Sequence, residues 1–169
     1  ETDVDRVIVN SKNTYETILE YLKRIDKENV EVVLNENEDL TKMHDIAGQI
    51  EEMKERKIWL KCGGFITIDK TEALTAIDIN SGKFTGKKNS SKENTIYKVN
   101  QEATVEIAKQ LRLRNISGII VIDYIDMEAE QDRKNIMNLL EKELKKDRSK
   151  TQVMGFTKLD LLEMTRKKL

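Results

Sequence analysis

The sequence predicts an α/β protein built on a mixed sheet, and three observations carry that expectation. Short strand-grade apolar runs recur as VIV, VEVVL, IWL, FITI and GIIVI, bounded by polar turn residues. Between two such strands, residues 74–80 and 116–123, lies a long stretch of helical periodicity, the pattern of a crossover joining parallel neighbours. Charged residues make up 36% of the chain against 38% hydrophobic, a balance that suits helices with strongly solvated outer faces.

At 169 residues the chain suits one domain, or one domain with part of another. No apolar run approaches the roughly 20 residues that cross a bilayer, and no signal peptide is evident. The start at Glu1-Thr2-Asp3, without Met, reads as an excised fragment. A single cysteine, Cys62, excludes an internal disulfide and fits a reducing cytoplasm.

Residues 5–9 read as a short strand. Asn10-Ser11 then offers an N-cap to a helix in which Tyr15, Ile18, Leu19 and Leu22 share a face as far as Ile25. Val30 to Leu34 is a second strand, and a helix over about 46–54 should turn Ile46, Ile50 and Met53 to a core. His44, the only histidine, precedes that helix without nearby Cys or His and reads as a surface or capping residue rather than a ligand or base. Cys62, lacking a histidine partner in sequence, reads as a small packed group.

Residues 58–61 and 65–69 flank Gly63-Gly64, which reads as a two-residue hairpin turn. A polar turn at 69–72 leads into Leu74–Asn80, giving a three-strand antiparallel meander. Trp59 is expected in a core or an interface, and with one Trp and three Phe in the chain an aromatic stacking surface is not expected. Residues 81–92, SGKFTGKKNSSK, form a loop whose Gly82 and Gly86 do not match a P-loop, because no GKS or GKT follows.

Glu93 to Arg114 is a helix with the stripe Ile96, Val99, Ala103, Ile107 and Leu111. The next strand, to Asp123, is apolar almost throughout and is expected at the centre of the sheet with both faces buried. Asp126 reads as a cap for the helix over about 128–146 or as an outer carboxylate of a cation site, in preference to a direct ligand. Residues 151–156 form a strand, and 159–169 end the chain as a basic helix or tail.

Chemistry concentrates at two strand ends. Asp78 and Asn80 lie one strand period apart and share a face, with Ile77 and Ile79 on the other. If strands 74–80 and 117–123 are parallel neighbours, Asp78 and Asp123 converge at their C-terminal ends, where open α/β sheets bind ligands. Two such carboxylates make a cation site. Charge supports an anionic ligand there: residues 1–57 hold 9 Lys/Arg against 15 Asp/Glu, while Lys83 to Arg114 holds 8 basic residues against 3 acidic. The alternative is that these lysines only solvate a helix face.

Four blocks, EALTAIDIN (72–80), EIAKQLRLRNISGIIVIDYIDM (106–127), KKDRSKTQV (145–153) and LLEMTRKKL (161–169), closely resemble the catalytic region of the ribonuclease E/G family in order and spacing. The resemblance implies a DNase I-like catalytic subdomain over 58–169, preceded over 1–57 by the closing part of an RNase H-like subdomain. It implies an endoribonuclease of single-stranded, A/U-rich RNA that leaves 5′-phosphate and 3′-hydroxyl ends. Asp78 and Asp123 would hold catalytic Mg²⁺, with Mn²⁺ a possible substitute, and Asn80 would orient the site by hydrogen bonding.

Lys83, Lys87, Lys88, Arg112, Arg114, Arg148 and Lys150 are the candidate RNA contacts. Lys150 stands where some members carry an arginine linked to 5′-monophosphate recognition, and lysine lacks that bidentate fork. Asp160 stands where glycine is expected. An OB-type RNA-binding domain, a 5′ sensor and the CPxC zinc-link that pairs protomers are not matched, so zinc is not expected here and homo-oligomers are expected of the intact parent. The alternatives are a noncatalytic RNA-binding or assembly module of the same fold, and an α/β domain whose aspartates merely cap the segments that follow them.

Overall fold

The computed structural model describes residues 4–37, 39–82 and 92–169, apart from the side chain of Lys92. The chain divides into two compact units, Glu1–Glu52 and Met53–Leu169.

In the first unit, strands β1 (Arg6–Val9) and β2 (Glu31–Leu34) pair in parallel, joined by helix α1 (Lys12–Arg24). Ser11 caps α1 as expected, accepting the Thr14 N–H on its hydroxyl. The helix expected over about 46–54 is present as α3 (Ile46–Glu52), and a further short helix, α2 (Leu40–Met43), precedes it. Asp45 breaks them apart: it adopts a left-handed φ of 48° and accepts the Gly48 N–H at 3.3 Å, so its carboxylate opens the next turn. Ile46 and Ile50, expected in a core, are exposed. His44 sits at the C-cap of α2 and is also exposed.

The second unit is built on a six-stranded mixed sheet of order β3-β4-β5-β6-β8-β7. Its strands are β3 (Lys57–Trp59), β4 (Phe65–Lys70), β5 (Leu74–Asn80), β6 (Gly118–Asp123), β7 (Thr151–Phe156) and β8 (Leu161–Arg166). The meander β3-β4-β5 is antiparallel and β5 pairs with β6 in parallel, both as the sequence predicts. The crossover is helix α4 (Lys92–Leu113), and α5 (Glu130–Leu144) follows β6.

One face of this sheet is buried. Ile66, Ile68, Ile77, Ile79, Ile120, Ile122, Leu162 and Met164 join Val99, Ala103, Ile107 and Leu111 of α4 and Ile136, Leu140 and Leu144 of α5 in a single apolar cluster. Each such side chain contributes about 1.5–3 kcal/mol by leaving water, which fixes the strand parity firmly. The alternate residues Ala76, Asp78, Ile119, Asp123, Glu163 and Thr165 are exposed.

Three expectations are corrected here. Strand β6 is central, but only one of its faces is covered: Ile119 is 52% exposed, because α4 and α5 share the other face. Residues 159–169 hold strand β8 instead of a helix or tail. Its alternation of Leu162, Met164 and Arg166 inward is obscured in sequence by an arginine at a core position. That arginine is satisfied: its guanidinium donates to Asp147 Oδ2 at 2.7 Å, Asn115 Oδ1 at 3.0 Å and the Ile116 carbonyl at 2.9 Å. Finally, the β3–β4 turn is a loop over 61–63, closed by the Leu60 N–H donating to Gly64 O at 2.8 Å. Gly63 takes the left-handed position at φ 93°, so one glycine makes the turn and the other serves close packing.

Candidate active site

Strands β5 and β6 run parallel in a register that makes Asp78 and Asp123 direct Cα partners at their C-terminal ends. The same parity that buries Ile77 and Ile122 leaves both carboxylates on the open face. Asn80 lies one period further on, and its amide Nδ2 donates to Asp78 Oδ2 at 2.6 Å, which orients that carboxylate. A cleft of about 390 Å³ opens over these groups, bordered also by Ser81 and by the segment Tyr124, Ile125 and Asp126.

Asp126 was expected as a cap or outer carboxylate. The α5 N-cap is instead Ala129, with no side-chain cap bond, and Asp126 faces the cleft. Burial, then the negative charges of Asp78 and Asp126, raise the Asp123 carboxyl above its ordinary value. A site that strains to ionise in this way is suited to a cation. Among the described residues no three His, Cys, Asp or Glu groups converge as a metal cage. Asp78 and Asp123 offer two carboxylates to the cleft, a donor chemistry that fits Mg²⁺ when waters complete its shell.

The segment that follows Asp123 and carries Asp126 is bolted to α4 by residues that the motifs in the sequence do not mark. Asn100, wholly buried, donates through Nδ2 to Ile125 O at 2.8 Å and accepts the Ile125 N–H at 3.2 Å. One helical turn later Thr104 donates to the Asn100 carbonyl at 2.7 Å, which leaves its oxygen to accept from the Tyr124 hydroxyl at 2.9 Å. Tyr124 is buried, and burial raises its phenol well above the ordinary range, so it stays neutral. The legible signal was Asn100 and Thr104 at i, i+4 beside the apolar stripe of α4.

Glu102 of α4 accepts the Lys61 N–H and the Cys62 N–H, the latter at 3.1 Å, and so holds the β3–β4 loop. Cys62 is half-buried against the core, and burial raises its thiol. Asp160 has φ 57°, the left-handed turn position at which glycine carries no side-chain penalty. Lys83, Lys87 and Lys88 lie outside the described residues.

Arg112, Arg114, Arg148 and Lys150 are not gathered at the two aspartates. They lie by connectivity at the other end of the sheet, where Lys150 O accepts the Lys167 N–H at 2.9 Å just beyond the Gly118↔Arg166 pair. Five residue steps of β6 separate that end from Asp123, roughly 17 Å. Arg112 donates to Glu143 O at 3.4 Å and Arg114 to Gln110 Oε1 at 2.7 Å. Trp59, expected in a core or interface, is 60% exposed on the same open face as Asp78.

The profile described as Ribonuclease E/G family matches residues 1–169. The chain is 44% identical over 170 residues to a protein named Ribonuclease G from Escherichia coli, covering 99% of this chain and 34% of that protein. It is 43% identical over 170 residues to Ribonuclease G from Salmonella typhimurium, with the same coverage. A protein named Ribonuclease E from Nostoc sp. is 36% identical over 171 residues, 98% of this chain and 25% of that protein. The chain thus spans about a third of the length of its ribonuclease G relatives. With a whole-chain profile match and relatives above 40% identity along almost all of its residues, the chain belongs to the ribonuclease E/G family.

Proposed function

We propose that the chain is the catalytic part of a Mg²⁺-dependent endoribonuclease that cleaves single-stranded, A/U-rich RNA in RNA processing and decay, leaving 5′-phosphate and 3′-hydroxyl ends. The observation that carries this reading is the direct pairing of Asp78 with Asp123 on an open sheet face, in a chain of this family. In the same reading, Met53–Leu169 contains the DNase I-like catalytic subdomain and the first unit closes an RNase H-like one. The cytoplasmic setting and a homo-oligomeric parent belong to this proposal as well.

Asp78 and Asp123 would hold the ion, with Mn²⁺ able to substitute. An ion held by these carboxylates would supply Lewis-acid chemistry at a phosphate oxygen. Asn80 keeps one Asp78 oxygen engaged, so that carboxylate presents a fixed edge to the cleft. Asn100, Thr104 and Tyr124 hold the β6 end rigid, which preserves the alignment that phosphoryl chemistry depends on.

The test is cleavage of a single-stranded A/U-rich RNA by the full-length protein. Asp78→Asn and Asp123→Asn are each expected to abolish Mg²⁺-dependent turnover while the folded circular-dichroism spectrum is retained. Wild-type turnover in either variant would remove the metal assignment.

A further inference from the structure

The open sheet face carries an aromatic pair beside the two aspartates. Strand registers place Trp59 opposite Phe65, and Phe65 opposite Asn80, in one row across three strands. The neighbouring row is Lys57, Thr67, Asp78 and Asp123. Ile58 and Ile66 pack against the core, so Trp59 and Phe65 alternate onto the face of Asp78. At about 4.8 Å per strand, the indole lies two strand spacings, roughly 10 Å, from Asn80.

The pair is ordered. The rings meet edge to face, with centroids 5.3 Å apart at 63°. The Lys57 ammonium sits over both, 4.0 Å from the Trp59 centroid and 3.6 Å from that of Phe65. Glu102 ties the loop between the two strands to α4, so the platform is fixed to the helix that also positions the Asp123 loop. Trp59 as a whole is 60% exposed.

We propose that Trp59 and Phe65, with Lys57, form a base-stacking subsite that seats an unpaired nucleotide of the RNA beside the Asp78–Asn80–Asp123 cleft. The ligand class rests on the endoribonuclease reading above. An exposed ammonium over a ring is a weak contact, whereas stacking of a base on an aromatic side chain is several-fold stronger in equilibrium terms, so an incoming base displaces Lys57 from the rings. The displaced ammonium is then free to meet the adjoining phosphate, which matches the charge of the ligand. A platform of this kind favours single strands because a duplex offers no free base face, and it is tolerant of base identity.

Trp59 is the sole tryptophan, so its emission reports on this position alone. The experiment titrates the chain, in excess EDTA to keep RNA intact, with a single-stranded A/U oligonucleotide and separately with a blunt duplex. Emission and the anisotropy of a labelled oligonucleotide are followed together. The single strand is expected to quench Trp59 in step with binding, and the duplex to leave it unquenched. Trp59→Ala is expected to raise the Kd for the single strand about 5- to 150-fold, the range of one lost base stack, and Trp59→Phe to recover most of the loss.

Binding seen in anisotropy with no quenching and no change in Trp59→Ala overturns the subsite alone. Sedimentation showing that Trp59→Ala dissociates a self-associated chain, with RNA affinity unchanged, overturns it in favour of a protein interface. Absence of any RNA binding overturns this proposal, while the endoribonuclease reading stands or falls on cleavage by the full-length protein. Quenching that persists while Asp78→Asn and Asp123→Asn still cleave supports the subsite and sinks only the metal assignment.

Discussion

Asn100 and Ile125 exchange two hydrogen bonds across the core, the side-chain amide of one meeting both backbone groups of the other. The contact fixes the backbone two residues beyond Asp123. Asn100→Ala removes both bonds and leaves two part-buried backbone groups unpaired, at about 1–3 kcal/mol for each such group. The expected loss is about 2–4 kcal/mol in urea unfolding, and a lower kcat than stability alone accounts for. An unchanged denaturation midpoint would show that water replaces the clamp.

Asp123 makes a pH prediction of unusual sign. Its carboxyl is raised in the folded chain by burial and by Asp78 and Asp126, so between the ordinary value and the raised one the native state binds more protons than the unfolded state. Without metal, stability therefore falls as pH rises through that window. Asp123→Asn should unfold in EDTA at the same or a higher temperature than the wild type at neutral pH, while losing metal-dependent turnover. A lower melting temperature for the variant across that range would contradict the like-charge account.

The Asp147–Arg166 pair behaves oppositely. Burial alone would raise the Asp147 carboxyl. The hydrogen bonds from Arg166 and the Ser149 N–H, with the charges of Arg166 and Arg112, outweigh it and hold the carboxyl below its usual value. Stability from this pair is present above the unfolded pKa and is lost as pH falls through the folded one. Arg166→Met leaves Asp147 without its main partner and is expected to destabilise by about 3–5 kcal/mol, with less acid sensitivity, read as denaturation midpoints from pH 3 to 7.

Gly82 and Gly118 test backbone fit at opposite ends of the sheet. A Cβ on Gly82, at φ 58°, would stand 2.5 Å from Gly63 O, whereas one on Gly118, at φ 93°, meets nothing within 4 Å. Gly118→Ala carries only left-handed strain, about 1–2 kcal/mol. Gly82→Ala adds a clash between two loops and is expected to lower the melting temperature further and to reduce cleavage, since Gly82 follows Asn80 by two residues. Equal shifts for the two variants would mean the loops separate freely.

Much of the site was legible because its determinants are local. Asp78 and Asn80 share a face by strand parity alone, and the long amphipathic stretch from Glu93 implied a crossover that makes β5 and β6 parallel neighbours. Asn100 and Thr104 were harder to read, since polar residues beside an apolar stripe say nothing of which loop they will meet. Strand β8 was missed for a related reason: an arginine at an inward position reads as surface until Asp147, Asn115 and the Ile116 carbonyl are brought to it.

The sequence by itself determined the elements that carry Asp78, Asn80 and Asp123, because side-chain alternation and hydrophobic periodicity depend only on neighbours along the chain. Tertiary structure decided which sheet face stays open and which residues share it. Both α4 and α5 cover the face of Ile77 and Ile122, and that choice leaves Ile119 and Trp59 in solvent on the face that carries the aspartates. It also places Arg112 and Lys150 at the far end. Strand order and layer coverage are set by contacts between residues distant in sequence, which composition and spacing do not encode.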